Sequence, residues 1–123
     1  MDGAKPAPSG AVGPSPGRIA LIRGLNDRLR MRGEGGRVVA TAGVVGLPAA
    51  TLARLVVSVR AFDGFDADDD PYGEHDFGAV EVDGVRAFWR VDAYDRELRF
   101  ASPDPTDPAV TTRVLTIMLA EDH

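Results

Sequence analysis

Apolar positions recur at helical spacing in Leu21, Ile22, Leu25 and Leu29, which predicts an amphipathic helix over Arg18 to Arg32. Asp27 follows Arg23 by four residues and precedes Arg30 by three, the spacing of an ion-pair ladder on a solvent-facing side. Gly33, Gly35 and Gly36 stop the helix, and the β-branched run from Arg37 to Thr41 reads as a short strand. Pro48 suits the first position of a second helix, whose buried stripe is Leu52, Leu55, Val56 and Val59 and which ends near Arg60.

The clearest local signal is Asp83-Gly84 between two alternating runs, Phe77 to Val82 and Val85 to Val91, which predicts a two-residue hairpin. Its register sets Val82 against Val85, Glu81 against Arg86, Val80 against Ala87 and Gly78 against Trp89. Val80, Val82, Val85, Ala87, Trp89 and Val91 then share one face, and a Glu81–Arg86 pair falls on the other. A second turn at Asp95-Arg96 returns a further strand through Leu98 and Phe100. Asp107 and Pro108 next start a helix carrying Val110, Val114, Leu115, Ile117, Met118 and Leu119, which is expected to cover the sheet. The expected fold is α+β: an antiparallel sheet of three to four strands in meander hairpins, packed against about three helices. One domain spans 18–123, after a Pro/Gly-rich tail over 1–17 that buries too little apolar surface to offset its ordering entropy and is expected to be disordered.

At 123 residues the chain is long enough to hold a core without staples. It contains no cysteine, which excludes thiolate zinc sites and cysteine nucleophiles and fits a reducing interior. The amino-terminal residues lack the features of a signal peptide, and no apolar run approaches eighteen residues, so a cytoplasmic protein without membrane attachment is expected. The net charge of −5 conceals a bipolar chain: residues 1–60 carry nine Lys and Arg against three Asp and Glu, whereas residues 61–123 carry five against sixteen. The halves either neutralise each other in the fold or leave a one-signed face that selects a partner.

The acidic excess concentrates between Asp63 and Asp76, where seven of fourteen residues are acidic and His75 lies between Glu74 and Asp76. Asp66, Asp68 and Asp70 alternate like the leading ligands of a calcium-binding loop, but Pro71 stands where the invariant glycine belongs and Phe77 where the bidentate Glu belongs. A looser carboxylate site for magnesium or manganese would draw on Asp68, Asp70, Glu74 and Asp76. Zinc lacks a spaced histidine pair, the other histidine being His123. His75 with Glu74 and Asp76 is the candidate acid-base group. In an extended segment, however, the two carboxylates would point away from the imidazole, which favours a hydrogen-bonded structural histidine. No nucleophile elbow or triad pattern supports a Ser or Thr nucleophile.

Gly33-Glu34-Gly35-Gly36-Arg37 follows a helix and precedes a strand, the reverse of the order that presents amides to a phosphate, and reads as a helix-ending turn. Arg18, Arg23, Arg28, Arg30, Arg32 and Arg37 are scattered around a helix, and the net charge has the wrong sign, so direct nucleic-acid binding is not expected. Tyr72, Tyr94 and Asp95 are turn-borne recognition candidates, and Trp89 reads as core. No cofactor is implied.

Leu25-Asn26-Asp27, Gly35-Gly36-Arg37-Val38, the run Asp70-Pro71-Tyr72-Gly73-Glu74-His75-Asp76-Phe77-Gly78, Phe88-Trp89, Tyr94-Asp95, Ser102-Pro103-Asp104-Pro105 and Leu115-Thr116-Ile117-Met118-Leu119 together carry a resemblance. From Ile19 to Asp122 the chain resembles a family of short bacterial proteins, common in proteobacterial genomes and their mobile elements, known only as a domain of unknown function. The resemblance implies the fold and brings no activity, substrate or catalytic residue. The expectation is therefore a non-catalytic module or regulator that binds a protein partner, with Asp68, Asp70, Tyr72, Glu74, His75, Asp76, Tyr94 and Asp95 as its recognition surface. One form is an acidic inhibitor or decoy of a DNA-handling or defence protein. The alternative is a metal-dependent hydrolase or phosphodiesterase using Asp70, Glu74, His75 and Asp76.

Overall fold

The computed structural model describes residues 15–122, so the tail expected over 1–17 lies outside the described residues as far as residue 14. α1 (Pro16–Arg32) begins before its apolar stripe, because Ser15 accepts a hydrogen bond from the Arg18 amide at 3.2 Å and Pro16 occupies the first turn. Gly33 closes the helix at φ 69°, and its N–H returns to the Leu29 carbonyl. β1 (Arg37–Ala40), the short α2 (Ala42–Val45) and α3 (Ala49–Arg60) follow.

β2 (Phe77–Val82) and β3 (Val85–Tyr94) form the expected hairpin, and Val82–Val85, Glu81–Arg86, Val80–Ala87 and Gly78–Trp89 are all partners. Asp83 and Gly84 turn the chain with φ of 55° and 77°, the two left-handed residues of a type I′ turn. The strand expected through Leu98 and Phe100 does not form. Leu98 is left-handed at φ 61°, and pairing shrinks to one bridge between Tyr94 and Ala101.

The carboxy-terminal helix is also overturned. Asp107 does cap, accepting from the Ala109 amide at 2.9 Å, but the helical turn ends at Val110 and Thr112–Leu119 continues as strand β4. Thr112, Val114, Thr116 and Ile117 are β-branched and favour a pleated strand. As a central strand β4 carries apolar residues on both faces, so its pattern lacks the alternation that separates a strand from a buried helix. Arg113, Leu115 and Ile117 are buried, between half-buried Thr112, Val114 and Thr116. β4 pairs antiparallel with β3 and parallel with β1, giving the order β1-β4-β3-β2 and a mixed sheet in place of a meander.

α1 and α3 supply the cover that the carboxy-terminal helix was expected to give. Leu29, Leu55 and Val59 from the helices meet Val80, Ala87, Trp89, Val91, Leu115 and Ile117 from the sheet. Trp89 is completely buried, as expected of a core residue. Among the described residues, no helix is long and apolar enough to cross a membrane.

Gly78 faces Trp89 across the hairpin, and a Cβ on Gly78 would stand 2.6 Å from indole Cε2. Gly78→Ala is therefore expected to cost ~1–3 kcal/mol of unfolding free energy by overpacking. Gly24→Ala, in open space on α1, should instead stabilise by ~0.5–1 kcal/mol. Urea denaturation of both variants checks this, and an unchanged midpoint for Gly78→Ala would show that the indole does not pin this position.

Candidate functional site

α1 turns a polar stripe inward. Asn26 and Arg30 are each 3 % exposed, whereas Leu21 is 58 % and Met31 53 % exposed. The expected solvent-side ladder of Arg23, Asp27 and Arg30 is therefore corrected: those residues face the acidic loop and the end of α3. Arg30 Nη1 lies within 3.1 Å of the carbonyls of Val59, Arg60 and Phe62, and Nη2 donates to Asp27 Oδ1 at 3.2 Å. Its guanidinium also lies 5.4 Å from the Phe65 ring centroid and 5.3 Å from that of Trp89.

The loop between α3 and β2 is built on these anchors. Asp66 Oδ1 accepts from the amides of Asp68 and Asp69 at 3.0 and 2.9 Å, a local turn typical of aspartate. Asp70 is buried and accepts from the His75 amide at 3.1 Å. His75 itself has φ 56°, a conformation unusual for a side-chain-bearing residue. Three contacts hold it there: Nδ1 lies 2.9 Å from Asp27 Oδ1, Nε2 lies 3.8 Å from Asp70 Oδ2, and the ring stacks on Phe65 at 3.6 Å with planes 4° apart. Arg23 Nε donates to the Gly73 carbonyl at 2.6 Å and Asn26 Nδ2 to the Glu74 carbonyl at 3.0 Å, which fastens the loop along α1.

Glu74 and Asp76 line a cleft of about 240 Å³ whose walls include Ile22 and Asn26 of α1, Asp92 of β3 and Arg113 of β4. Arg113, 3 % exposed, is fixed by donating Nε to Asn26 Oδ1 and Nη2 to the Pro105 carbonyl, each at 2.6 Å. Burial pushes the Glu74 carboxyl above the ordinary range, Asp76 and Asp70 add to the rise, and the Arg113 guanidinium opposes it. Asp76 is raised chiefly by burial, with a backbone hydrogen bond acting against the rise and Asp70 and Asp92 adding to it. Burial lowers the Arg113 guanidinium below its usual value, offset in part by Glu74. Asp92 is already paired, accepting from Arg90 Nε at 2.8 Å.

The structure thus separates the sequence candidates. Asp70 and His75 support the loop, Glu74 and Asp76 form the cleft, and Asp68 and Tyr72 lie exposed on the loop, Tyr72 at 66 %. Tyr94 ends β3 next to the lining residue Ala93, and Asp95 holds the following turn by accepting from the Arg99 amide at 2.9 Å. Asn26, Asp92 and Arg113 were missed. Arg113 carried a usable signal, a lone charge within a β-branched run. Among the described residues, no three His, Cys, Asp or Glu side chains are gathered so as to hold a metal ion.

This is a two-layer α+β domain whose sheet carries a half-buried carboxylate cleft at one end. Residues 40–122 match the model of a family described as a protein of unknown function (DUF3768), and the chain belongs to that family. The match includes the acidic loop and both cleft strands, with α1 preceding it. No curated protein and no solved structure matches the chain.

A carboxyl raised above its unfolded value binds more protons in the native state across the interval between the two values. Its effect on stability is nil below that interval and becomes destabilising as pH rises through it. Asp76→Asn should therefore raise the melting temperature at pH 7 and leave it nearly unchanged at pH 3. Glu74→Gln should shift it in the same direction, since burial raises that carboxyl as well. The gain is expected to stay below ~1 kcal/mol, since both groups keep contact with water. Differential scanning fluorimetry across pH reads the difference, and a lower melting temperature for Asp76→Asn at pH 7 would reverse the assigned sign.

Proposed function

We propose that this protein is a non-catalytic binding module that takes a basic side chain of a protein partner into the Glu74–Asp76 cleft, with Asp68, Tyr72, Tyr94 and Asp95 around it as contact residues. The observation that carries this reading is that Glu74 and Asp76 line one cleft beside Asp92, half-buried, both carboxyls raised first by burial and then by neighbouring acidic groups, with Arg113 opposing the rise at Glu74. An incoming guanidinium or ammonium would supply the missing counter-charge and lower both raised carboxyls. The absence of cysteine from the sequence fits a reducing cytoplasmic setting. The resemblance to short bacterial proteins of mobile elements makes a DNA-handling or defence protein the partner to test first, with the module acting as an acidic inhibitor or decoy.

The alternative, a metal-dependent phosphodiesterase, is less well supported. Its four residues divide between two places: His75 and Asp70 engage Asp27 and the loop backbone, while Glu74 and Asp76 line the cleft.

Capture of partners from native lysate should be compared for wild type and the triple variant Glu74→Gln/Asp76→Asn/Asp92→Asn. Asp70 stays intact because it supports the loop. A partner isolated this way, purified and titrated, should bind the variant roughly 30-fold or more weakly, lose affinity with added salt and be indifferent to EDTA. Manganese-dependent hydrolysis of a phosphodiester that disappears in Glu74→Gln would replace the binding reading with the catalytic one.

A further inference from the structure

A second concavity, of about 370 Å³, lies where β1 and β4 begin, lined by Gly35, Gly36, Arg37, Arg96, Thr112 and Arg113 with Pro108 and Thr111. No carboxylate lines it, in a chain whose net charge is −5. Arg18, Arg28, Arg54 and Arg90 are all paired with carboxylates, and Arg23 and Arg30 are hydrogen-bonded to the acidic loop or the end of α3. The side chains of Arg37 and Arg96, like those of Arg32, Arg60 and Arg99, have no hydrogen-bond, ion-pair or ring partner among the described residues; Arg37 and Arg96 are the two of these that line the groove, and both are exposed. They come from segments nearly sixty positions apart, which the β1–β4 and β3–β4 pairings bring to the same end of the sheet.

The glycines here have a packing reason as well. A Cβ on Gly36 would stand 3.0 Å from Arg113 Cβ and overlap the Arg113 carbonyl, so only glycine lets the chain enter β1 this close to β4. Gly35, at φ 86°, is the bend that precedes it. The floor of the groove is therefore bare backbone and threonine flanked by two uncommitted guanidiniums. Guanidiniums match phosphate oxygens in planar, bidentate pairs, and hydroxyl and amide groups supply further donors. No aromatic residue lines the groove to stack on a base, so recognition would rest on the anion.

We infer that this groove binds a phosphate group, free or carried by a small phosphomonoester, held by Arg37 and Arg96 with Thr112 beside them. The site is separate from the carboxylate cleft and does not depend on the proposed partner.

The test is an NMR titration of the full ¹⁵N-labelled chain at pH 7 and constant ionic strength, with inorganic phosphate, AMP and adenosine as probes. Phosphate and AMP should both shift the Gly35, Gly36 and Thr112 amides along saturating curves, with adenosine silent. Tighter binding of AMP than of phosphate would mark an esterified ligand, and equal binding would mark free phosphate. Arg37→Gln and Arg96→Gln, both at exposed positions where folding should be unaffected, should each weaken binding about tenfold. The proposal is overturned by shifts that fail to saturate or spread over all arginines, by equal shifts from AMP and adenosine, or by curves unchanged in both variants. Concentration-dependent shifts at these amides without any response to phosphate would instead show the groove covered by a second copy of the chain.

Discussion

The buried guanidinium of Arg30 is the contact on which the rest of this molecule depends. A charge at 3 % exposure is strongly unfavourable unless it is surrounded by partners. The partners it finds are carbonyls at the end of α3 and just beyond, groups that a helix leaves unsatisfied and that carry its negative pole. The terminal nitrogens of one side chain therefore serve both its own burial and the capping of a second helix, with Nε left buried and without a hydrogen-bond partner among the described residues. Because Nη2 holds Asp27, and Asp27 also takes His75, the packing of α1 on α3 is transmitted directly into the loop.

That relay explains why the acidic loop is not one acidic surface. His75 is held in a left-handed conformation by Asp27, Asp70 and the Phe65 ring, on the inner side of the loop, while its neighbours Glu74 and Asp76 line the cleft. The carboxylates of the run have separate employments. Asp66 shapes a turn, Asp70 supports His75, Glu74 and Asp76 face each other's charge in the cleft, and Asp63, Asp68 and Asp69 are exposed. Charge that repels itself survives here because the neutral and cationic groups of α1 hold the backbone in place.

The hairpin was legible because turn chemistry and alternation agree: Asp83-Gly84 demands the I′ turn, and the turn then dictates every pair. α1 was legible as a helix but not in its orientation, since Arg23, Asn26, Asp27 and Arg30 look like a solvent face until the partners of the first three in the acidic loop and of Arg30 at the end of α3 are known. β4 was misread because a strand covered on both faces offers no period, and Asp107-Pro108 is a true helix start followed by only one turn. The loop drew attention through composition alone. Its division into support and cleft depends on His75 φ, Asn26 and Arg113, none of which a charge count can reach.

The bipolar charge of the chain can now be apportioned. Several arginines of the first half are taken up in holding the acidic second half: Arg30 through Asp27, Arg23 through Gly73, Arg18 through Asp104 and Arg54 through Asp83. Two of these, Arg18–Asp104 and Arg54–Asp83, neutralise charge between the halves, and the other two hold the loop through Asp27 and a carbonyl. Glu74 and Asp76 remain only partly compensated in the cleft, and the unpaired side chains of Arg37 and Arg96 remain at the groove beside Gly36. Arg113 belongs to the lining of both, fixed between them by Asn26 and the Pro105 carbonyl. A single inward strand position thus forms the wall between surfaces of opposite sign. The misread strand is the element that gives this protein two chemically distinct faces.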